Sequence, residues 1–122
     1  DTLVSINKKI LGKPKTVKEA EKMLKMLSGK EHKVTTGVVI KTQKKQKVFF
    51  ESTSVFFKKL NENEIKYYIK KYKPYDKAGS YAIQEWIGIV GIKKISGSFF
   101  NVMGLPTEKL YNELVKFSNE KK

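Results

Sequence analysis

The chain has 122 residues, 39% of them hydrophobic and 31% charged, and it contains no cysteine. That length suits a single domain, residues 1–122, and the composition excludes a disulfide framework, thiolate catalysis and a membrane span of about 20 apolar residues. All 26 basic residues are lysines dispersed along the chain, so the net charge of +14 comes without the arginine contact that reads guanine, and we expect no stable nucleic-acid partner.

A strand, a tight turn and a helix are predicted at the start of the chain. Residues 2–6 are apolar enough for a buried strand, and the polar residues 7–9 form the turn after it. Thr16 and Glu19 have the spacing of a capping box, in which each side chain bonds the backbone of the other residue. Apolar residues then recur at helical spacing until Gly29, which ends the helix.

A long antiparallel hairpin is predicted next. Residues 34–42 and 47–57 are rich in branched and aromatic side chains, and the polar residues 43–46 between them mark a turn that faces water. Adjacent aromatic residues occur here and elsewhere in the pairs Phe49-Phe50, Phe56-Phe57, Tyr67-Tyr68 and Phe99-Phe100. Because neighbouring strand residues point to opposite faces, we expect these pairs to contribute both to the core and to a homodimer interface.

The second half of the chain predicts two helices with a strand between them. Asn61 and Glu64 repeat the capping-box spacing, and the helix that follows ends before Pro74. Residues 86–95 are predicted as a strand, in which two glycines allow a close backbone approach or a bulge. Pro106 begins the last helix, whose predicted core residues are Leu110, Leu114, Val115 and Phe117.

The fold class follows from the order of these elements. They predict one mixed α/β domain with a largely antiparallel central sheet and flanking helices. The chain shows no internal repeat, low-complexity linker or domain boundary. Its polar tail, residues 118–122, is expected to fray from the last helix.

His32 and Ser80 are of types that often occur in active sites, but we do not predict a catalytic role for either residue. His32 is the single histidine, and no cysteine or second histidine can complete a soft-metal site with it. We therefore predict that His32 is a hydrogen-bond partner at a turn or strand edge. Ser80 has no histidine base in any visible arrangement, so serine hydrolase chemistry is not expected.

Residues 76–84 are the most informative segment. They place the carboxylate of Asp76, the ammonium of Lys77, the flexible Gly79 and the amide of Gln84 within nine positions. Charged and hydrogen-bonding groups beside apolar surface are typical of small-molecule sites. A surface turn, in which the glycine supplies backbone freedom and the carboxylate pairs with the lysine, explains the same residues.

Several separated blocks of the chain share a pattern with one enzyme family. They are residues 1–2 (Asp-Thr), 11–14 (Leu-Gly-Lys-Pro), 32–38, 76–84 and 101–106. In this order the blocks resemble the Maf-like (septum formation) family of nucleoside triphosphate pyrophosphatases, over residues 1–118. The resemblance implies an inosine-triphosphatase-like architecture and a cytoplasmic enzyme that cleaves a nucleoside triphosphate to the monophosphate and pyrophosphate.

One part of the family pattern lies upstream of this chain. Members begin with a phosphate-binding segment of the Ser-x-Ser-Pro-Arg-Arg type and an acidic metal ligand, both before the Asp-Thr pair. This chain starts at that pair, Asp1 and Thr2. We therefore expect it to correspond to the C-terminal two-thirds of a longer protein, and its activity alone is in question.

By the resemblance, Asp1 is the catalytic carboxylate at the end of a strand. It would act as proton acceptor and also hold a divalent cation, Mg²⁺ or Mn²⁺, or the water bound to it. A carboxylate suits both roles, because Mg²⁺ takes oxygen ligands and keeps several waters. Without the resemblance, Asp1 would be an ordinary terminal aspartate.

The resemblance also assigns the substrate-binding residues. Lys13 and Lys77 would contact phosphate oxygens, and Lys13 lies between a glycine and a proline that shape a turn. Thr2 and Gln84 go with the branch of the family that hydrolyses dTTP and UTP. An amide donates and accepts, so Gln84 can meet the N3 hydrogen and the O4 oxygen of uracil or thymine.

Two other classes of function compete with the enzyme. A non-enzymatic, lysine-rich module that binds a nucleotide or nucleic acid without cleaving it would explain the charge, and steep salt dependence of binding to random duplex would favour it. A structural domain that dimerises through its aromatic residues would explain the aromatic pairs. Sedimentation at several protein concentrations would test that third class.

Overall fold

The computed structural model describes residues 1–119, which form one five-stranded sheet. The strands are β1 Thr2–Ile6, β2 Lys9–Leu11, β3 Glu31–Lys41, β4 Gln46–Phe57 and β5 Ile92–Ser96. Their spatial order is β2, β1, β3, β4, β5, and every neighbouring pair is antiparallel. The prediction of a mixed α/β fold around a largely antiparallel sheet is confirmed.

Residues 1–119 also form five helices and two short 3-10 turns. The helices are α1 Val17–Leu27, α2 Glu62–Tyr72, α3 Trp86–Gly91, α4 Phe99–Met103 and α5 Thr107–Asn119, and the 3-10 turns are Pro74–Asp76 and Ala78–Ser80. None of the helices in this part of the chain is both long and apolar enough to cross a membrane. The predicted polar tail begins inside α5, and its residues 120–122 lie outside the described range.

The predicted tight turn after β1 and the predicted long hairpin are both present. Asn7 and Lys8 have positive φ angles of 50° and 65°, the backbone of a two-residue type I′ turn, and they join β1 to β2. The long hairpin pairs Glu31 with Phe56 at its base and Lys41 with Gln46 at its turn, so β3 begins three residues before the predicted start at residue 34.

One of the two predicted capping boxes is complete. Asn61 accepts from the backbone of Glu64 at 2.8 Å, and the Glu64 carboxylate accepts from the backbone of Asn61 at 3.0 Å. At α1, Thr16 accepts from the backbone of Glu19, but the Glu19 carboxylate accepts from the N–H of Lys15. The prediction of a capping box at Thr16 is therefore wrong for the second hydrogen bond, although the helix begins where it was predicted.

The core lies on one face of the sheet, under α1, α2 and α3. Its buried residues include Val4, Ile6, Val34, Val55, Phe57, Leu24, Leu27, Ile65, Ile69 and Ile87. The alternate residues of the strands face the other way, where Leu3, Val39, Val48 and Phe50 are exposed. Because strand side chains alternate, this second sheet face is left uncovered by residues 1–119.

The prediction of a strand over residues 86–95 is wrong in its first half. Residues 86–91 form α3, and only Ile92–Ser96 form a strand. The turn of helix buries Ile87, which is 1% exposed, and leaves Ile89 80% exposed. Gly88 passes so close to Ile83 that a β-carbon would fall 1.7 Å from its carbonyl oxygen. A short apolar run does not by itself distinguish helix from strand.

The prediction for α5 is wrong at two of its four core positions. Phe117 is buried against Ile40 and Phe49, and Leu110 packs on the same small cluster. Leu114 and Val115 are 45% and 44% exposed. Helix α5 packs at the far end of the long hairpin, where the sheet offers only a narrow apolar patch, so one side of the helix stays in solvent.

The predicted position of His32 at a turn or strand edge is also wrong. His32 lies on β3, which is flanked by β1 and β4, and it is 1% exposed. Its ring stacks on Phe57, and its Nε2 lies 2.6 Å from the hydroxyl of Tyr81. Burial lowers the pKa of His32 to about 4, so the ring is neutral near pH 7. His32 is a hydrogen-bond partner, as predicted, but in the core.

Candidate functional site

A cleft of about 330 Å³ opens beside the N-terminal end of β1. Its polar and charged lining residues are Asp1, Thr2, Lys13, Asp76, Lys77 and Gln84. The walls between them are apolar and are formed by Val4, Val34, Ala78, Tyr81, Ala82, Val102 and Met103. All five residues predicted for the site, from three separate parts of the sequence, thus line one cleft large enough for a small molecule.

A second groove, between α1 and α2, is larger but chemically simpler. Its volume is about 460 Å³, and it is lined by Val17, Glu21, Lys66, Ile69, Lys70, Lys73 and Tyr75. A single carboxylate faces three ammonium groups there. The cleft beside β1 brings together carboxylates, ammonium groups, a hydroxyl and an amide, so it is the stronger candidate for chemistry.

Strand pairing fixes Asp1 at the mouth of the cleft. The N–H of Gly37 on β3 donates to the carbonyl oxygen of Asp1 at 2.9 Å, so the antiparallel ladder continues to the first residue. The Asp1 side chain is exposed and directly precedes Thr2, which is half-buried. A carboxylate held by a strand but open to solvent can meet a charged ligand without being desolvated beforehand.

The hydroxyl of Thr2 is joined to the core by hydrogen bonds. Its Oγ1 lies 3.0 Å from Oγ1 of Thr36, which in turn donates to the carbonyl oxygen of Asn101 at 3.1 Å. Asn101 is fully buried, and its Nδ2 donates to the carbonyl oxygens of Val34 and Glu51 at 3.1 and 2.9 Å. These bonds hold α4 against β3 and β4 and set the wall next to Thr2.

The two lysines belong to segments that are joined through the backbone. The N–H of Gly79 donates to the carbonyl oxygen of Gly12 at 3.1 Å, which ties the turn before Lys13 to the 3-10 turn after Lys77. Lys77 pairs with Asp76 at 3.3 Å, and its hydrogen bond lowers the pKa of the Asp76 carboxyl, with a further contribution from the charge of Lys13. Asp76 is therefore ionised, and the predicted Asp76–Lys77 contact is present.

Two buried tyrosines, Tyr68 and Tyr81, support the wall of the cleft that contains Ala82 and Gln84. The hydroxyl of Tyr81 meets His32, and burial raises the pKa of Tyr81, which keeps its proton. The hydroxyl of Tyr68 on α2 donates to the Glu85 carboxylate at 2.5 Å and accepts from the N–H of Ala82 at 3.2 Å. Residues 81–85 are thereby held in place, and the exposed side chain of Gln84 reaches the cleft.

Comparison with known proteins identifies the family of the chain. A family model described as "Maf-like protein" matches residues 1–117. The chain belongs to the Maf-like family.

Relatives of this Maf-like chain carry one printed name, "dTTP/UTP pyrophosphatase". The protein of Christiangramia forsetii is 55% identical over 119 residues, which are 98% of this chain and 61% of the relative. Those of Bacteroides thetaiotaomicron and Bacteroides fragilis are 54% and 56% identical over 116 and 114 residues, or 95% and 93% of this chain and 60% and 59% of the relatives. The chain thus spans about 60% of the length of the curated relatives it matches.

The donor atoms of the Maf-like cleft fit a magnesium-type ion better than a zinc-type one. Asp1 and Asp76 both line the cleft, and residues 1–119 contain no group of three or more histidines and carboxylates that could enclose a metal. Mg²⁺ needs only one or two carboxylates when waters and substrate phosphates complete its six ligands. A structural zinc ion would require four nitrogen or sulfur ligands.

Three residues that support this Maf-like site were not assigned a role from the sequence. Thr36 and Asn101 lie inside the family-like blocks 32–38 and 101–106, so the blocks pointed to them without saying what they do. Tyr68 is part of the pair Tyr67-Tyr68, for which the sequence predicts only a place in the core or at a homodimer interface. Its hydroxyl was the signal, because a buried tyrosine needs a hydrogen-bond partner.

Proposed function

We propose that this chain forms the catalytic and base-reading side of a nucleoside triphosphate pyrophosphatase that hydrolyses dTTP and UTP. The observation that carries the proposal is the single cleft that gathers Asp1, Thr2, Lys13, Lys77 and Gln84. The name shared by relatives that are more than 50% identical supports the substrate class. The products would be the nucleoside monophosphate and pyrophosphate.

The phosphate chain would lie toward the lysines. Lys13 and Lys77 face the same cleft from two segments that share a backbone hydrogen bond, so their ammonium groups can contact one triphosphate together. Ammonium groups stabilise the negative charge that builds up on the leaving pyrophosphate. The net charge of +14 adds a long-range attraction for a polyanionic substrate.

The Asp1 carboxylate would act as the general base. It accepts a proton from a water molecule as the water oxygen attacks the α-phosphorus, and the bond from that phosphorus to the oxygen bridging it to the β-phosphorus breaks. Asp1 and Asp76 would hold the divalent cation, Mg²⁺ or Mn²⁺. When bound, such an ion neutralises phosphate charge and lowers the pKa of a coordinated water.

The nucleobase would lie at the opposite end of the cleft, toward Thr2 and Gln84. Both side chains line the cleft, and the apolar side chains of Val102 and Met103 offer a surface for a pyrimidine ring. A mostly apolar pocket with a few placed polar groups is the usual arrangement for reading a base. We place the enzyme in the cytoplasm without a nucleic-acid partner, and homodimerisation stays a prediction from the exposed aromatic residues.

The proposal is tested by pyrophosphate release from a panel of nucleoside triphosphates with Mg²⁺ or Mn²⁺. We would assay the full-length protein that contains this chain, and residues 1–122 beside it. Release from dTTP and UTP by the full-length protein, lost in Asp1→Asn, is the expected result. Glu62→Gln is the matched control, because Glu62 is exposed on α2 and pairs with Lys66. Full activity of Asp1→Asn would show that Asp1 is not the general base.

A further inference from the structure

The direction of the hydrogen bonds at Thr2 follows from the hydrogens that are available. The carbonyl oxygen of Asn101 can only accept, so the hydroxyl of Thr36, 3.1 Å away, donates its single hydrogen to it. Thr36 Oγ1 then has only lone pairs to offer Thr2 Oγ1, 3.0 Å away. Thr2 must therefore donate to Thr36, and only the lone pairs of its oxygen remain for a ligand.

The reverse direction is disfavoured by burial. If Thr36 donated to Thr2, then Thr36 Oγ1 and the Asn101 carbonyl oxygen would face each other without a hydrogen between them. Thr36 is 2% exposed, and an uncompensated contact of that kind is costly in a buried place. The position of the Asn101 carbonyl is itself fixed, because it also accepts from the N–H of Gly104 at 3.0 Å and its side chain is bonded to two strands.

Gln84 alone does not distinguish uracil from cytosine. In one orientation its amide nitrogen donates to O4 of uracil, and after a half-turn its amide oxygen accepts from the amino group of cytosine, so it tolerates the C4 group of either base. Among residues 1–119, no side chain or backbone group forms a hydrogen bond with the Gln84 amide that would fix its orientation. Discrimination between the two bases therefore needs a second group whose polarity is fixed.

We propose that Thr36 is a positioning residue that holds Thr2 as a pure hydrogen-bond acceptor, and that this polarity selects pyrimidines with a hydrogen on N3. Uracil and thymine present N3–H to the Thr2 oxygen and are accepted. Cytosine presents a lone pair at N3, which repels the lone pairs of Thr2. The inference rests on the proposed function only for the identity of the substrates and deepens it by naming the atom that reads the base.

The test compares Thr36→Val with Thr36→Ser in the full-length protein. Valine keeps the shape of threonine but removes the hydroxyl, so the Thr2 hydroxyl is free to turn and donate. Serine keeps the hydroxyl. The dissociation constants of UMP and CMP are measured by calorimetry, with kcat/KM for UTP and CTP beside them. We expect Thr36→Val to reduce the preference for uracil by about tenfold, the size of one hydrogen bond, and Thr36→Ser to keep it.

Wild-type protein provides a test that no folding defect can obscure. The monophosphate of 2-pyrimidinone riboside has an acceptor at N3 and no group at C4. It should bind more weakly than the monophosphate of 3,4-dihydro-2-pyrimidinone riboside, which has N3–H and likewise no oxygen or amino group at C4. Equal binding of these two probes would overturn the inference, and so would a wild-type protein that binds UMP and CMP equally.

The remaining outcomes separate this inference from the proposed function. If Thr36→Val weakens UMP and CMP equally, Thr36 is only structural and the inference is overturned while pyrophosphatase activity stands. If wild-type protein prefers UMP and Thr36→Val loses that preference, but no triphosphate is hydrolysed, the inference is supported and the proposed enzyme is not.

Discussion

Gly79 lies against Val4, on the strand that carries Asp1 and Thr2. A β-carbon on Gly79 would fall 2.9 Å from Cγ1 of Val4, and Gly79 has a φ of +73°. The segment with Lys77 can therefore approach β1 only because residue 79 lacks a side chain. Glycine at this position sets the width of the cleft.

We predict that Gly79→Ala destabilises the protein by about 1–3 kcal/mol, from the strained φ and the contact with Val4. The KM for the triphosphate should rise as well, because Lys77 moves with the segment. Urea unfolding and steady-state kinetics measure the two effects. Gly12→Ala is the control, since nothing lies within 4 Å of a β-carbon there. Equal stability of the two variants would contradict the close packing of Gly79.

The buried His32 predicts a loss of stability in mild acid. Its folded pKa of about 4 lies below the ordinary value of 6.5, so between these two values the unfolded chain binds the proton that the folded chain refuses. The free energy of unfolding should then fall by roughly 3 kcal/mol as the pH falls from 6.5 to 4, and this contribution should be constant above 6.5. Urea unfolding at pH 7 and pH 5 measures the slope.

His32→Gln is the control for this pH dependence. Glutamine does not titrate but offers the Tyr81 hydroxyl a hydrogen-bond partner. Acidic residues titrate equally in both proteins, so the difference between the two slopes belongs to His32. Parallel slopes would show that His32 does not resist protonation in the fold.

Removal of one ammonium group should weaken binding of the substrate phosphates. Lys77→Gln and Lys13→Gln should each lower kcat/KM for UTP about tenfold or more, the size of one charge-assisted hydrogen bond. Their stability should change little, because Lys13 is exposed and the Lys77–Asp76 pair lies at the surface. Lys66→Gln, at an exposed position on α2 that does not line the cleft beside β1, is the control. If kcat/KM of the lysine variants is no lower than that of the control, Lys13 and Lys77 do not bind the phosphates.

Tyr68→Phe should disturb Gln84 without touching it. The variant removes the bond to the Glu85 carboxylate and leaves the N–H of Ala82 without its acceptor, at a cost of about 1–3 kcal/mol. Thermal unfolding measures that loss, and the KM for UTP shows whether residues 81–85 have moved. Tyr111→Phe, at an exposed position on α5, should match wild type in both. An unchanged KM in Tyr68→Phe would show that Gln84 is positioned by other contacts.

Local signals allowed much of the fold to be predicted. The turn at residues 7–9, the Asn61 capping box and the long hairpin depend on residues that are close in sequence, and all three are present. Residues 86–95 lack such a signal, because a short apolar run has no period that separates helix from strand. The prediction of the buried residues of α5 is wrong at Leu114 and Val115, because their burial depends on how far the sheet extends beneath the helix.

The candidate site was only partly predictable for the same reason. Asp1, Thr2, Lys13, Lys77 and Gln84 occur in recognisable blocks, and the structure brings them into one cleft. The hydrogen bond from Thr36 to Asn101 joins residues 65 positions apart, so no spacing in the chain announces it. The polarity of Thr2 depends on that long-range bond and emerges only when the fold is known.

The bond from the Gly79 N–H to the Gly12 carbonyl has a mechanical consequence for the cleft. Donor and acceptor both belong to the main chain, so no substitution except proline at residue 79 removes either of them. The turns that carry Lys13 and Lys77 are thus linked to each other through the main chain. A displacement of one turn is therefore expected to displace the other, so the two ammonium groups should change position together.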